Sequence, residues 1–404
     1  MKQETIWVIN YFAGTPLSGW GERHFYFAKY WKDMGYDVKI ISSSYNHMFQ
    51  SKTLPHVTKD FTDEQHEGID FVWVKTPYYD PQSIKRFWAQ WVFAWKVLKL
   101  PINKYGKPST IIVSSMPIFP IWSGIKMKKK WGVKLLFEIR DIWPLTLQLL
   151  GNKSSHHPAV KLLGWFEKIG YRKSDVVVSL LPNAHTHFNE VAKKEVLFFY
   201  IPNGIDETQL INEPISADIQ NAIPKDKFII GYAGTIGLAN ALEYLIDAAG
   251  ILKDDPKFHF VIVGDGYLKR TLVEKSKSWG NVSFFNKIKK NQVQSLLQHY
   301  DICFVGRNDT PLFKHGVSAN KYFDYMLAGK PILDSNNMIK DPVELSGCGV
   351  IVKPDSAQSI VDGVLKLYSM SPEQLKTMGM KGREYVLQYH SIKHLAEQYA
   401  ALFA

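Results

Sequence analysis

Short apolar runs alternate along this chain with longer segments of helical period. Residues 6–10, 38–43, 71–74, 111–114, 133–138 and 176–180 read as strands in the first half, with 21–34 as a helix. In the second half, strands over 228–231, 258–263, 282–285 and 301–305 alternate with helices over 239–252, 267–278, 291–299 and 319–328. This alternation predicts an α/β fold with parallel sheets covered on both faces. The 404 residues leave room for two such domains, 1–200 and 201–390. Sheets of this kind bind ligands at the carboxyl ends of their strands, so a cleft between facing domains is the expected site.

The most informative stretch is 316–333. Ser318 stands where an N-cap belongs, Gly329 closes the following helix and Pro331 prevents its return. Lys321 and Asp324 are three apart and Asn320 and Asp324 four apart, which places all three on one face. Free N–H groups, a lysine and a carboxylate suit a phosphate joined to a polyhydroxylated group. A plain capped helix with a solvated Lys–Asp pair fits the same spacing. Upstream, the strand ending at Gly231 runs into a glycine-rich turn, which predicts Gly234 and Thr235 at a helix N-terminus facing a diphosphate. Gly231, Gly234 and Gly237 also spell a G-x-x-G-x-x-G pattern, so NAD-dependent epimerisation or oxidoreduction stays open as a second class. Its usual Tyr-x-x-x-Lys pair occurs only at Tyr389 and Lys393, near the end of the sequence.

The first half carries its own candidates. Gly14, Gly19 and Gly21 form a loop that lets backbone approach a phosphate or sugar. Arg23 could then take a phosphate through two hydrogen bonds. His24 reads either as a ligand or as a structural histidine. Asp141, at a strand's carboxyl end, can orient a sugar hydroxyl, pair with Arg140 or cap the next turn. Arg140 cannot act as a base, so its contribution would be electrostatic.

Charge changes the picture further. The formal net charge is +11, with 27 Lys/Arg against 16 Asp/Glu in residues 1–200 and 22 of each in 201–404. From Pro81 to Phe137 there are 11 Lys/Arg and no acid. Within that stretch, Phe87, Trp88, Trp91 and Trp95 mark one helical face, flanked by Lys85, Arg86, Lys96 and Lys99. Lys128 and Lys129 belong to a second basic cluster, 126–130. Tryptophan among lysines suits the headgroup level of an anionic membrane. A packed amphipathic helix is the alternative. The helical spacing and the lack of an RNA-binding signature argue against nucleic acid. No apolar run reaches 18 residues, and the sequence opens directly into a strand with no signal peptide visible. Cys303 and Cys348 read as buried reduced thiols, which favours the cytoplasm. No Asp-x-Asp or His/Cys cluster marks a metal site.

Four motifs in order carry a family resemblance. Residues 320–331 are similar to the "N-K-x-x-[DE]-Y-x-x-A-G-K-P" stretch of family-four retaining glycosyltransferases with the GT-B fold. Tyr200-Ile-Pro-Asn-Gly-Ile-Asp206, Val263-Gly-Asp-Gly266 and Glu138-Ile-Arg-Asp-Ile-Trp-Pro144 resemble further motifs of that family. The branch resembled builds bacterial surface polysaccharide, O-antigen or capsule, from acetamido sugars such as N-acetylfucosamine. The resemblance implies a UDP-sugar co-substrate, no cofactor and a polyprenyl-diphosphate-linked acceptor. It also implies a peripheral place on the inner face of the cell membrane. It assigns the base edge to backbone at 286–288, including Ile288, a phosphate contact to Lys321 and a ribose contact to Asp324. The first acid of the family's E-x₇-E motif falls on Gly316, and the usual Arg and Lys are missing near Thr235. Lys321 and Arg307 are the cations that remain for the diphosphate. The loop containing Gly19, Gly21, Arg23 and His24 would face donor and acceptor, and the closing helix, 391–404, would cross back to the first domain. A non-catalytic, membrane-bound nucleotide-binding protein is a third class.

Overall fold

The computed structural model describes residues 3–18, 21–49, 54–81, 83–206 and 212–403. It divides into two compact units, 1–203 with 392–404, and 204–391.

The first unit is built on eight strands: β1 (Thr5–Ile9), β2 (Asp37–Ser43), β3 (Phe61–His66), β4 (Ile69–Val74), β5 (Thr110–Ser114), β6 (Lys134–Ile139), β7 (Val176–Ser179) and β8 (Phe198–Tyr200). Their order is β3-β4-β2-β1-β5-β6-β7-β8, and only β3 runs antiparallel to its neighbour. The strand period of two divides the sheet's side chains between two cores. Trp7 and Ile9 face helices Lys85–Val97, Pro120–Trp131 and Pro158–Lys173; Ile6 and Val8 face Arg23–Asp33 and Ile392–Ala400. Trp31 anchors that last helix. Its indole Nε1 donates to the Ala396 carbonyl at 2.9 Å, and its ring meets Tyr399 and Phe403 at 5.3 and 5.1 Å.

The second unit holds β9 (Phe228–Ala233), β10 (Phe258–Val263), β11 (Val282–Phe285), β12 (Ile302–Gly306), β13 (Ile332–Ser335) and β14 (Gly349–Val352). All are parallel, in the order β11-β10-β9-β12-β13-β14. The connection reverses direction between β9 and β12, and the crevice beyond such a reversal is where doubly wound sheets take ligands. Gly234 follows β9 and Arg307 follows β12, so both lie at that point.

Glycine shapes the turns above β9 and β10 through close approach. A Cβ at Gly264 would stand 1.8 Å from the Gly234 carbonyl oxygen, and one at Gly266 2.2 Å from that of Ile236. The two loops run side by side, with Gly234 N–H to Val263 O at 3.0 Å and Ile236 N–H to Asp265 O at 2.8 Å. Gly231 has a different task. It lies under the Tyr300 ring, 1.9 Å from where its Cβ would be, so the first glycine of the dinucleotide-like pattern serves packing.

Candidate active site

At the β9/β12 reversal two cations converge on one oxygen. Arg307 Nη1 donates to Asn240 Oδ1 at 3.4 Å and to the Ala239 carbonyl at 3.1 Å. Lys321 Nζ donates to the same Asn240 oxygen and to the Tyr232 hydroxyl at 3.2 Å. Arg307 is buried, only 7% exposed. Its Nε has no hydrogen-bond acceptor among the described residues. Burial, and then the Arg307 charge, hold the Lys321 ammonium well below the usual lysine range, with Asp334 pulling weakly the other way. Two like charges drawn together in a half-buried place, with a donor to spare, form an electrostatic trap for an anion.

The neighbouring positions differ from the sequence expectation in detail. Gly234 and Thr235 are not at a helix N-terminus. A 3₁₀ turn, Leu238–Asn240, intervenes, and the helix begins at Leu242. The Thr235 carbonyl instead accepts from Tyr232 Oη at 2.6 Å and Asn240 Nδ2 at 2.9 Å, which ties the loop to the cation pair. Ser318 is not the N-cap. The helix is Asn320–Leu327 with Ala319 as its cap, because Ala319 is itself extended. Asn320 is exposed at its start. Gly329, in the left-handed region at φ 67°, closes the helix as expected. Lys321 and Asp324 do not pair with each other. Lys290 holds the Asp324 carboxylate at 2.5 and 2.6 Å, while Lys321 turns toward Tyr232. Gly316 has φ 90°, a backbone state that a carboxylate-bearing residue would occupy only with strain. Ile288 is half-buried and packs on the core beneath this helix.

The first unit contains a buried charge network that spacing did not suggest. Glu138, on β6, is fully enclosed, with Arg23 Nε 3.2 Å from its Oε2 and His24 Nε2 3.1 Å from its Oε1. Ser114 donates to Oε1 at 2.9 Å and Tyr399 to Oε2 at 3.4 Å. Asn10 fixes the imidazole. Its Oδ1 accepts the Phe12 N–H at 2.9 Å, so its Nδ2 is the donor to His24 Nδ1 at 3.0 Å. That leaves the His24 proton on Nε2, facing Glu138. Burial pushes the carboxyl up, but His24, Arg23 and Arg140 outweigh it and hold Glu138 well below the usual carboxylate range. Burial keeps the imidazole below its ordinary value despite the carboxylate.

Two expectations are therefore corrected. Arg23 does not present a free fork to a phosphate. It donates to the carbonyls of Ile201, at 2.7 Å, and Pro202, and to Asn203 Oδ1 at 3.2 Å. His24 is fully buried and structural. Gly21 owes its place to contact: at φ 85° a Cβ would stand 1.9 Å from the Phe12 carbonyl. Gly19 lies outside the described residues. Arg140 and Asp141 directly follow β6, with the Arg140 N–H donating to Ser115 Oγ at 3.0 Å and Asp141 exposed.

The basic aromatic helix is also sorted by the structure. Trp88 and Trp95 are 61% and 46% exposed. Trp91 leaves the proposed face: it stacks on Trp122 at 5.5 Å and meets Phe119 and Phe166 at 6.0 Å each. Lys85 and Lys129 are exposed, whereas Arg86 donates to the Pro81 carbonyl at 3.2 Å. Lys128 is engaged by Asp175 at 2.5 Å. Among the described residues no helix is long and apolar enough to cross a membrane, and no three His, Cys, Asp or Glu side chains gather as a metal cage.

Residues 216–385 match the family described as glycosyl transferases group 1. The chain is 26% identical over 321 residues to the candidate colanic acid biosynthesis glycosyl transferase WcaI of Escherichia coli (strain K12), covering 74% of this chain and 77% of WcaI. It is 20% identical to the candidate glycosyltransferase EpsD of Bacillus subtilis (strain 168), covering 94% and 92%. Among solved structures it is similar to sucrose-phosphate synthase from Thermosynechococcus elongatus, with TM-score 0.75, 17% identity and 99% and 98% coverage. Anabaena HepE in complex with UDP and glucose matches with TM-score 0.66, 14% identity and 99% coverage of both chains. The fold is GT-B, and the glycosyl transferases group 1 match falls within the second unit, at residues 216–385.

Proposed function

We propose that this chain transfers a sugar from a UDP-sugar to a polyprenyl-diphosphate-linked acceptor in surface polysaccharide synthesis, with retention and without a metal. The observation that carries this reading is the convergence of Arg307 and Lys321 on Asn240 at the β9/β12 reversal. As the bond to the sugar breaks, negative charge grows on the departing diphosphate. Fixed cations aimed there lower the barrier without reorganising during the reaction. Asp324 supplies the acceptor for ribose hydroxyls once Lys290 yields it. In the first unit, Asp141 orients a hydroxyl of the sugar or acceptor beside the Arg140 charge. Leaving-phosphate oxygen receives the acceptor's proton in a front-side displacement.

The WcaI likeness supports the polysaccharide setting, and a HepE complex with UDP supports a uridine nucleotide. The exposed Trp88 and Trp95 beside Lys85 and Lys99 support a peripheral position on the cytoplasmic face of the membrane. The test is UDP release from UDP-N-acetyl sugars in the presence of polyprenyl-diphosphate saccharide in anionic vesicles. Acceptor-dependent release, lost in Lys321→Ala, is expected. A melting-temperature response to NAD with none to any nucleotide diphosphate would overturn the reading.

A further inference from the structure

Three helices of the first unit share one outer side. Lys85–Val97, Pro120–Trp131 and Pro158–Lys173 all send their buried residues into a single core on one face of the eight-stranded sheet. Their remaining side chains therefore leave that face in the same direction. Phe166, on the third helix, ties the layer together at 6.0 Å from Trp91 and 5.2 Å from Phe119.

The third helix repeats the character of the first. Leu162 and Trp165 are each 51% exposed. Trp165 lines a groove with Lys168, Ile169, Arg172 and Lys173, spaced as one helical face. The helix's one acid, Glu167, is turned inward, where Tyr171 donates to it at 3.0 Å and His187 lies at 2.8 Å. Its outer side is thus apolar and cationic only.

We propose that Pro158–Lys173 is a second membrane-docking helix. Leu162 and Trp165 seat at the boundary of headgroups and acyl chains, and the Lys168–Arg172–Lys173 groove holds the phosphates of anionic lipid. This rests on the membrane placement in the proposed function and deepens it. Charge complementarity selects the bilayer as occupant: tryptophan with lysine and arginine, and no outward acid, matches an anionic headgroup layer. The arrangement also has a geometric consequence. One interfacial helix leaves a protein free to roll about that helix, whereas two on the same layer fix its tilt.

The test is sedimentation of the full chain with phosphatidylcholine vesicles, with and without phosphatidylglycerol. Wild type is expected to bind the anionic vesicles, and Leu162→Ser/Trp165→Ser to bind them about tenfold more weakly, with an unchanged circular dichroism spectrum and UDP affinity. Lys168→Glu/Arg172→Glu should lose the preference for phosphatidylglycerol. If both variants partition as wild type while Trp88→Ser/Trp95→Ser does not, the second helix is excluded and the first stands. If wild type binds neither vesicle, membrane docking fails while the donor site is untouched. Loss of self-association in place of vesicle binding would assign the face to a second copy and overturn the proposal.

Discussion

Arg23 joins two distant parts of the first unit through Glu138. Its Nε lies 3.2 Å from Glu138 Oε2, and its terminal nitrogens donate to the backbone at 201–202, just where the first unit ends. The same carboxylate accepts from Tyr399 on the closing helix. One buried charge therefore holds the helix Arg23–Asp33, strand β6, the end of the unit's main segment and its returning helix in register.

Removing one member of a buried ion pair leaves the other uncompensated, at a cost of about 3–5 kcal/mol. Glu138→Leu should lower the first unit's unfolding free energy in urea by that order, and its midpoint with it, with UDP affinity kept. Glu138→Gln, which retains some hydrogen bonding, should cost less. An unchanged midpoint in Glu138→Leu would mean that Arg23 finds another partner.

The pH dependence of that loss has a definite sign. Glu138 in the folded unit sits below its unfolded value of about 4.3, so its contribution is complete above that pH and fades as acid protonates it. The stability gap between wild type and Glu138→Gln should therefore be widest near neutrality and narrow below about pH 4. A gap that widens in acid would contradict the assignment of a charged Glu138.

In the second unit, His259 Nε2 lies 2.9 Å from Ser283 Oγ, and burial pushes its imidazole down to about 4. Being neutral when folded, it stabilises above the unfolded value of about 6.5, and that contribution is lost as pH falls toward 4. Its ring resonances in an NMR titration should stay unshifted down to about pH 5, and protonation near 6.5 would show that the site is open to water.

The Lys321 ammonium is held low by burial and by Arg307. A bound diphosphate favours its charged form, so UDP binding should take up protons in the range where free Lys321 is partly neutral. Affinity should fall with rising pH sooner than an ordinary lysine would allow, and Lys321→Arg should flatten that fall. Calorimetry in buffers of different ionisation enthalpy reads the proton count directly.

Much of this fold was legible from period and punctuation, because both sheets are buried on both faces and their strands are continuous apolar runs. β3 escaped notice for the converse reason: Phe-Thr-Asp-Glu-Gln-His is an edge strand with no buried residue, so no alternation marks it. Lys321 and Arg307 were readable as spare cations once the motifs were aligned. Asn240, whose Oδ1 is where they meet, carried no signal, since a lone amide in a turn looks like any other. Glu138 did leave a trace. A carboxylate inside Lys-Leu-Leu-Phe-Glu-Ile has to find partners when buried, but nothing in the spacing named Arg23 and His24 as those partners. Leu162 and Trp165 were hidden because helical spacing alone does not tell which face of Pro158–Lys173 turns outward.

Titration of UDP into wild type, Arg307→Gln and Lys321→Ala tests the paired cations at the β9/β12 reversal most directly. Each substitution removes a charge-assisted hydrogen bond, so each should weaken binding by about tenfold to a hundredfold at unchanged melting temperature. Wild-type affinity for UDP in both variants would contradict the role given to the paired cations.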